Sequence, residues 1–378
     1  MPHLFEPYTV RGVTLRNRIV VSPMCEYSSV QGFANDWHVV HLGSRAVGGA
    51  GLVLTEAAAV SLEGRITPND LGIYRDEHIA RLRRIVDFLH ENGAVAGIQL
   101  AHAGRKASSA PPWEGGMPLP ADREDGWDPL APSPLPFHAG ATAPIAMTEG
   151  HIARVLADFA AAARRAILAG FRVIEIHAAH GYLLHSFYSP LSNRRTDPYG
   201  GSFSNRTRLT REVLSAVRGA IPSDVPIFVR ISATDWAEGG WTVDDSVRFA
   251  RDLVPLGCDL VDVSSGGLVR DQKIAVGPSY QVPFAERIRA EANVPVGAVG
   301  MITQAAQADD IVRSGKADLT LLARANSYAI HIGRCMQRTN SAWRSRGPRN
   351  TIARSRNSRG PNVPRRGTSF EVIPSLQS

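Results

Sequence analysis

A (β/α)8 barrel of the TIM class is the fold this sequence predicts, and three observations predict it. Eight apolar, strand-like runs alternate with amphipathic helical stretches, the pattern of a parallel sheet with right-handed crossovers. Polar and charged residues gather where those runs end, as they do on the C-terminal rim of such barrels. No Gly-x-Gly-x-x-Gly follows the first run, which disfavours an open dinucleotide-binding sheet. With 378 residues, 44% of them hydrophobic, the chain can bury one large core without a second domain.

The strands are expected at 18–24, 51–58, 95–103, 172–179, 227–232, 260–265, 294–300 and 317–324. Helical periodicity lies between them at about 38–49, 76–92, 148–169, 203–219, 242–256, 283–292 and 303–315. The rim residues are Cys25, Glu56, Gln99, His102, His177, His180, Arg230, Ser264, Ser265 and Arg324. A Pro- and Gly-rich excursion over 108–147 follows the third strand, and loops of that length are usually functional or disordered. Seven helices are legible where eight are expected. Residues 326–378 are rich in Arg, Ser, Asn and Pro, a composition too poor in apolar surface to offset ordering entropy. The expected organisation is a barrel over 1–325 and a disordered tail over 326–378 in place of the eighth helix.

The net charge of +7 belongs to that tail, which holds ten Arg, no Lys and one acid, Glu371. The first 325 residues are slightly acidic, so no basic patch suggests nucleic acid as the natural partner. No apolar run approaches the roughly 20 residues of a membrane span. Nothing near the start reads as a signal peptide, which predicts a soluble cytoplasmic protein. Cys25, Cys258 and Cys335 are too far apart for a disulfide framework or a zinc site.

Chemistry concentrates after the fourth strand. His177 and His180, three apart just past an apolar run, can turn toward one ligand, and Tyr182 adds a proton source. A structural histidine pair and a metal pair are the competing readings. A metal site needs three or more ligands, and no carboxylate or thiol is spaced to complete one. Arg230 ends the fifth strand, where a fixed cation could stabilise developing negative charge. Arg324, after the small Ala323, ends the eighth strand at the corner where barrels commonly hold phosphate.

Several blocks resemble the Old Yellow Enzyme family. They are Ser22-Pro23-Met24-Cys25, the run from Gln99 to Lys106, His177 to Tyr182, Ser189 to Asn193, and Tyr199 to Ser202 with Asn205-Arg206. The pairing of Cys25 with Tyr27 is similar to the bacterial thermophilic-like branch, and the resemblance runs over about residues 3–324. It implies non-covalent FMN at the top of the barrel. Ser22, Pro23, Met24 and Cys25 would lie along the flavin with Ala57 beside it. Gln99 and Arg230 would contact its pyrimidine side, the arginine stabilising the anionic reduced form. Gly300, Met301, Ala323 and Arg324 would hold the phosphate.

The resemblance also implies an NAD(P)H:FMN ene-reductase that works in two half-reactions. NAD(P)H gives its hydride to FMN. An α,β-unsaturated ketone or aldehyde then accepts hydride at Cβ, its oxygen bonded to His177 and His180, and Tyr182 protonates Cα. Nitro compounds are a further substrate class. Tyr27 would line the substrate pocket, and Cys25 would adjust flavin potential or substrate fit unless it is a small buried apolar residue. Closely spaced cysteines for an iron–sulfur cluster are missing, which sets the chain apart from the larger dienoyl-CoA-reducing relatives. A different FMN barrel oxidoreductase and a nucleic-acid binder acting through the basic tail remain the alternatives.

The tail departs from the family pattern, in which the last strand leads to a helix beginning Glu-Leu-Leu-Arg-Asp-Pro-Tyr. A shifted reading frame accounts for this. Back-translation of residues 325–334, read two bases along, allows Glu-Phe-Leu-Arg-Asp-Pro-Tyr-Trp-Pro-Leu. A genuine disordered arginine-rich tail is the alternative. Under either reading the family's terminal arginine, which reaches a neighbouring subunit, is not legible, so the homo-oligomer implied by the resemblance would be weakened.

Overall fold

The computed structural model describes residues 2–323. Eight parallel strands close into a barrel in sequence order: β1 (Ile19–Val21), β2 (Leu52–Ala59), β3 (Val95–Ala101), β4 (Val173–Ala178), β5 (Ile227–Ser232), β6 (Leu260–Ser264), β7 (Val296–Ala298) and β8 (Leu319–Leu322). Closure comes from β8 pairing with β1 in the register Leu321 to Val20. Outside run α1 (Asp36–Val47), α2 (His78–Glu91), α3 (Glu149–Ala169), α4 (Arg208–Ala220), α5 (Val243–Leu253), α6 (Val282–Ala292) and α7 (Ala305–Arg313). Local sequence starts these helices where the fold needs them: Asn35, Thr148 and Thr242 each accept a backbone N–H from the first turn and sit in reciprocal capping boxes. No helix among the described residues is long and apolar enough to cross a membrane. The eighth helix position, the domain boundary at 325 and the whole tail reading lie outside the described residues.

Several expected boundaries move. The first strand stops at Val21 instead of 24, because the chain beyond Ser22 leaves the barrel wall and Glu26 N–H donates to Glu56 Oε2 at 2.9 Å. The seventh strand stops at Ala298, before Gly300 and Met301 enter left-handed conformations at φ 116° and 49°. The helix expected over 203–219 is split by Thr207 into Phe203–Arg206 and α4, and the Thr207 hydroxyl bonds back to the Phe203 carbonyl at 2.9 Å. The excursion over 108–147 carries a small strand pairing, Leu130–Ala131 with Ile145–Ala146, and an isolated bridge between Ser109 and Pro118.

A two-stranded hairpin, Tyr8–Val10 with Val13–Leu15, was not expected, since three-residue strands carry no readable period. It plugs the barrel's lower end. Val10, Val13 and Leu15 pack there with Leu52, Val95, Val173, Phe228, Leu260 and Leu319. Full burial of each such side chain stabilises the fold by about 1.5–3 kcal/mol. Side chains alternate along a strand, so the residues two positions above this floor also face inward. Those residues are Glu175 above Val173, Arg230 above Phe228 and Asp262 above Leu260, with His177, Ser232 and Ser264 at the mouth. Apolar floor, charged middle and polar mouth are thus written along the same strands.

Candidate active site

The turn after β4 carries the histidines and tyrosine. His177 is buried and its ring stands 4.9 Å from Tyr182 and 5.1 Å from His180, edge to face in both cases. Burial, followed by the charge of Arg230, pushes the pKa of both histidines well below the usual value, so both rings are neutral. His177 Nδ1 accepts the Ala179 N–H at 3.3 Å, which leaves the ring proton on Nε2. That N–H donates to nothing among the described residues. His180 Nε2 lies 2.7 Å from Ser264 Oγ. It therefore offers a donor at Nδ1 in the tautomer where the Ser264 hydroxyl gives its hydrogen to Nε2. Tyr182 has its pKa raised well above 10 by burial and by Cys25 and Tyr27, so its hydroxyl keeps its proton.

This turn is strained and clamped. His180 has φ 58° and Gly181 φ 75°. A Cβ on Gly181 would lie 2.3 Å from the Gly267 carbonyl, and one on Gly267 would lie 2.7 Å from His180 Cα, so the two loops meet only as glycines. Lys106 closes the joint from the side, its Nζ donating to the His180 carbonyl at 2.8 Å and the Gly267 carbonyl at 2.6 Å. Behind the turn, His185 Nδ1 accepts the Gly181 N–H at 2.9 Å while its Nε2 lies 2.8 Å from Asp235 in a fully buried pair. Ser232 Oγ accepts the His180 N–H at 2.9 Å. Lys106, Ser232, His185 and Asp235 were missed as site residues, because the first three act on backbone groups of the turn brought close only by folding and Asp235 acts through His185. For Lys106 a signal existed in the sequence: a lysine directly after Gly104-Arg105 at the end of β3.

The same mouth receives the segment after β1. Cys25 lies beside Tyr27 and the Ala57 backbone. Burial, then Glu56, pushes the Cys25 thiol up, so it is no thiolate. Ser22 is buried and Pro23 and Met24 half-buried alongside. Glu56 is not a mouth residue. A one-residue bulge in β2 between Leu54 and Ala57 turns it outward, where it pairs with His38 at 3.0 Å and holds the Glu26 N–H. His102 also turns away, its Nδ1 accepting the Gly104 N–H at 3.1 Å.

Below the histidines, Gln99 donates to Glu175 at 2.8 Å, and Arg230 Nε lies 3.1 Å from Asp262 Oδ2 without aiming its N–H at it. Arg230 Nε, Glu175 Oε2 and both Asp262 oxygens have no hydrogen-bond partner among the described residues. Burial, then the charge of Asp262, pushes the Glu175 pKa up to about 8. At the end of β7, Gly300 and Met301 turn left-handed and their amides donate to nothing among the described residues. Ala323 is half-buried after β8, and Arg324 lies outside the described residues. Unsatisfied buried donors at Arg230 and free amides at residues 300–301 are what a large polar cofactor with an anionic end would use, so these residues fit FMN. A separate open cleft of about 800 Å³, bordered by Arg65, Arg123 and Trp127, contains none of the expected site residues. Among the described residues no group of three or more His, Cys, Asp or Glu is placed to hold a metal ion.

A parallel barrel whose mouth joins neutral histidines, a protonated tyrosine and a buried arginine defines a flavin oxidoreductase of the barrel class. The chain belongs to the NADH:flavin oxidoreductase / NADH oxidase family, which matches residues 3–327, and within it to the Old Yellow Enzymes. It is 50% identical over 323 residues to an NADPH dehydrogenase of Geobacillus sp. (strain WCH70), covering 85% of this chain and 89% of that one. Its fold is similar to morphinone reductase in complex with tetrahydroNAD, with TM-score 0.71, 25% identity and coverage of 86% and 87%. It is likewise similar to the old yellow enzyme homologue from Zymomonas mobilis, with TM-score 0.69, 26% identity and coverage of 85% and 89%. The protein is an NAD(P)H:FMN oxidoreductase.

Proposed function

We propose that this oxidoreductase passes hydride from NAD(P)H, through FMN, to Cβ of α,β-unsaturated ketones and aldehydes. The observation that carries the reading is the His177–His180–Tyr182 cluster: two neutral imidazoles beside a hydroxyl that holds its proton. Bound FMN supplies the hydride chemistry. His177 Nε2–H donates to the substrate carbonyl oxygen, and His180 adds a second bond through Nδ1. Neutral donors suit this task, since they stabilise charge that grows on the oxygen without forming a salt bridge to the ground state. Tyr182 gives its proton to Cα, and Lys106, whose pKa burial lowers to about 7, lies 5.6 Å from the tyrosine's ring centroid. Tyr27 and Cys25 border the substrate opposite the histidines.

The flavin contacts are part of the same proposal. Ser22, Pro23, Met24, Cys25, Ala57, Gln99 and Arg230 would hold the flavin, and Gly300, Met301, Ala323 and Arg324 would take its phosphate. Bleaching of the purified yellow protein by NADPH and recovery with 2-cyclohexenone test the reading together. Bleaching that no enone reverses, with normal reoxidation by oxygen, would leave an FMN oxidoreductase of another substrate class.

A further inference from the structure

The middle layer of the barrel holds more charge than its partners balance. Four polar side chains fill it: Gln99 from β3, Glu175 from β4, Arg230 from β5 and Asp262 from β6. Glu175 and Asp262 are 0% exposed and Arg230 only 6%. Among the described residues the other strands bring no charge to this level: Val20 comes from β1, Leu54 from β2, Leu321 from β8, and Gly297 of β7 has no side chain. Above the layer lie His177 and His180, both neutral, and Lys106, whose Nζ is committed to two carbonyls of the mouth. Two carboxylates therefore share one guanidinium.

They do not share it equally. Arg230 lies 3.1 Å from Asp262, whereas among the described residues Glu175 has the neutral Gln99 amide on Oε1 and no partner on Oε2. An ionised carboxylate in that position would be buried, unpaired and repelled by Asp262, a combination that favours the neutral acid. Burial pushes both carboxyls upward and Arg230 draws both down, while the charge of Asp262 pushes Glu175 further up. We infer that Glu175 keeps its proton in the folded enzyme, that Asp262 alone balances Arg230, and that the flavin potential is set by this neutral layer. Both are positioning and tuning residues rather than catalytic ones. The arrangement has a purpose. A second negative charge under the site would cancel the stabilisation that Arg230 offers to reduced, anionic flavin.

The test compares FMN-loaded parent, Glu175→Gln and Asp262→Asn by spectroelectrochemical titration at neutral pH, with infrared spectra of each. Glu175→Gln copies the shape of the neutral acid, so its midpoint potential should match the parent's. It should lack one protonated-carboxyl stretch that the parent shows. Asp262→Asn leaves Arg230 unopposed and should raise the potential. A rise in Glu175→Gln equal to that in Asp262→Asn overturns the inference, as does a parent spectrum without the carboxyl band. An unmoved potential in Asp262→Asn overturns its pairing role. If Asp262→Asn does not fold, the potential and band of Glu175→Gln still decide where the proton resides.

Discussion

The floor and the mouth of this barrel are built from the same strands, two to four residues apart, and obey opposite rules. On β5, Phe228 joins the apolar floor, Arg230 lies in the charged layer and Ser232 holds the His180 amide. The floor stabilises without direction: any well-filling apolar side chain serves, and the hairpin at 8–15 completes the packing. The charged layer under the mouth costs stability, since Arg230 Nε, Glu175 Oε2 and both Asp262 oxygens lack hydrogen-bond partners among the described residues. Such groups persist where chemistry needs them. One strand therefore carries fold at its start and function at its end.

The largest effect should come from the floor. Phe228→Ala should lower unfolding stability by about 3–5 kcal/mol, while the folded fraction keeps its FMN and turnover. Urea titration with activity at low denaturant checks both halves. A loss of activity at parent stability would dissolve the contrast between the two ends.

His177→Ala should give the reverse signature. Losing one donor to developing oxyanion charge costs about 2–4 kcal/mol in enone kcat/KM. Stability and FMN content should hold. Parental enone rates in this variant would remove His177 from the assignment.

Within the mouth, Tyr182→Phe should slow flavin reoxidation by enone about 10²-fold and spare reduction by NADPH. Stopped-flow traces separate the two half-reactions, and a defect confined to the NADPH step would contradict the role. Cys25→Ala should instead shift potential or substrate preference.

Gly267→Ala probes the joint itself. Its Cβ would meet His180 at 2.7 Å from a φ of 86°, which should cost about 1–3 kcal/mol and displace the histidine turn. Here stability and enone activity should fall together, and an unaffected kcat would mean that the loop pair is not what aligns the histidines.

The smallest effect is in pH dependence. The folded-state pKa of Glu175 is raised to about 8, so the native form binds a proton that the unfolded chain releases above its ordinary value. Its contribution to stability is complete below about pH 4 and is lost as pH rises toward the folded value. Glu175→Gln has nothing to titrate, so its unfolding midpoint should gain on the parent's between about pH 5 and about pH 8. Parallel pH curves would argue that the proton is held elsewhere.

How much of this was readable before folding follows from how far each signal reaches along the chain. Strand and helix positions were legible because hydrophobic period is local, and β5 matches its expected range of 227–232. The ends were less so: Ser22 and Gly300 are released by contacts with Glu56 and by left-handed turns that no period encodes. His177, His180 and Tyr182 were legible as a cluster because six residues hold all three. Which distant residues they would pair with was not. Lys106, Ser264 and Asp235 come from β3, β6 and the end of β5, and only closure of the barrel sets them against one turn. The sequence by itself determined the barrel and the residue types at its mouth, because side-chain period and strand order are properties of the chain. Tertiary structure alone decided which way Glu56 turns, which nitrogen of His177 carries the proton and which carboxylate faces Arg230. Those depend on distances of a few ångströms between residues far apart in sequence, where a single bulge or glycine contact changes the outcome.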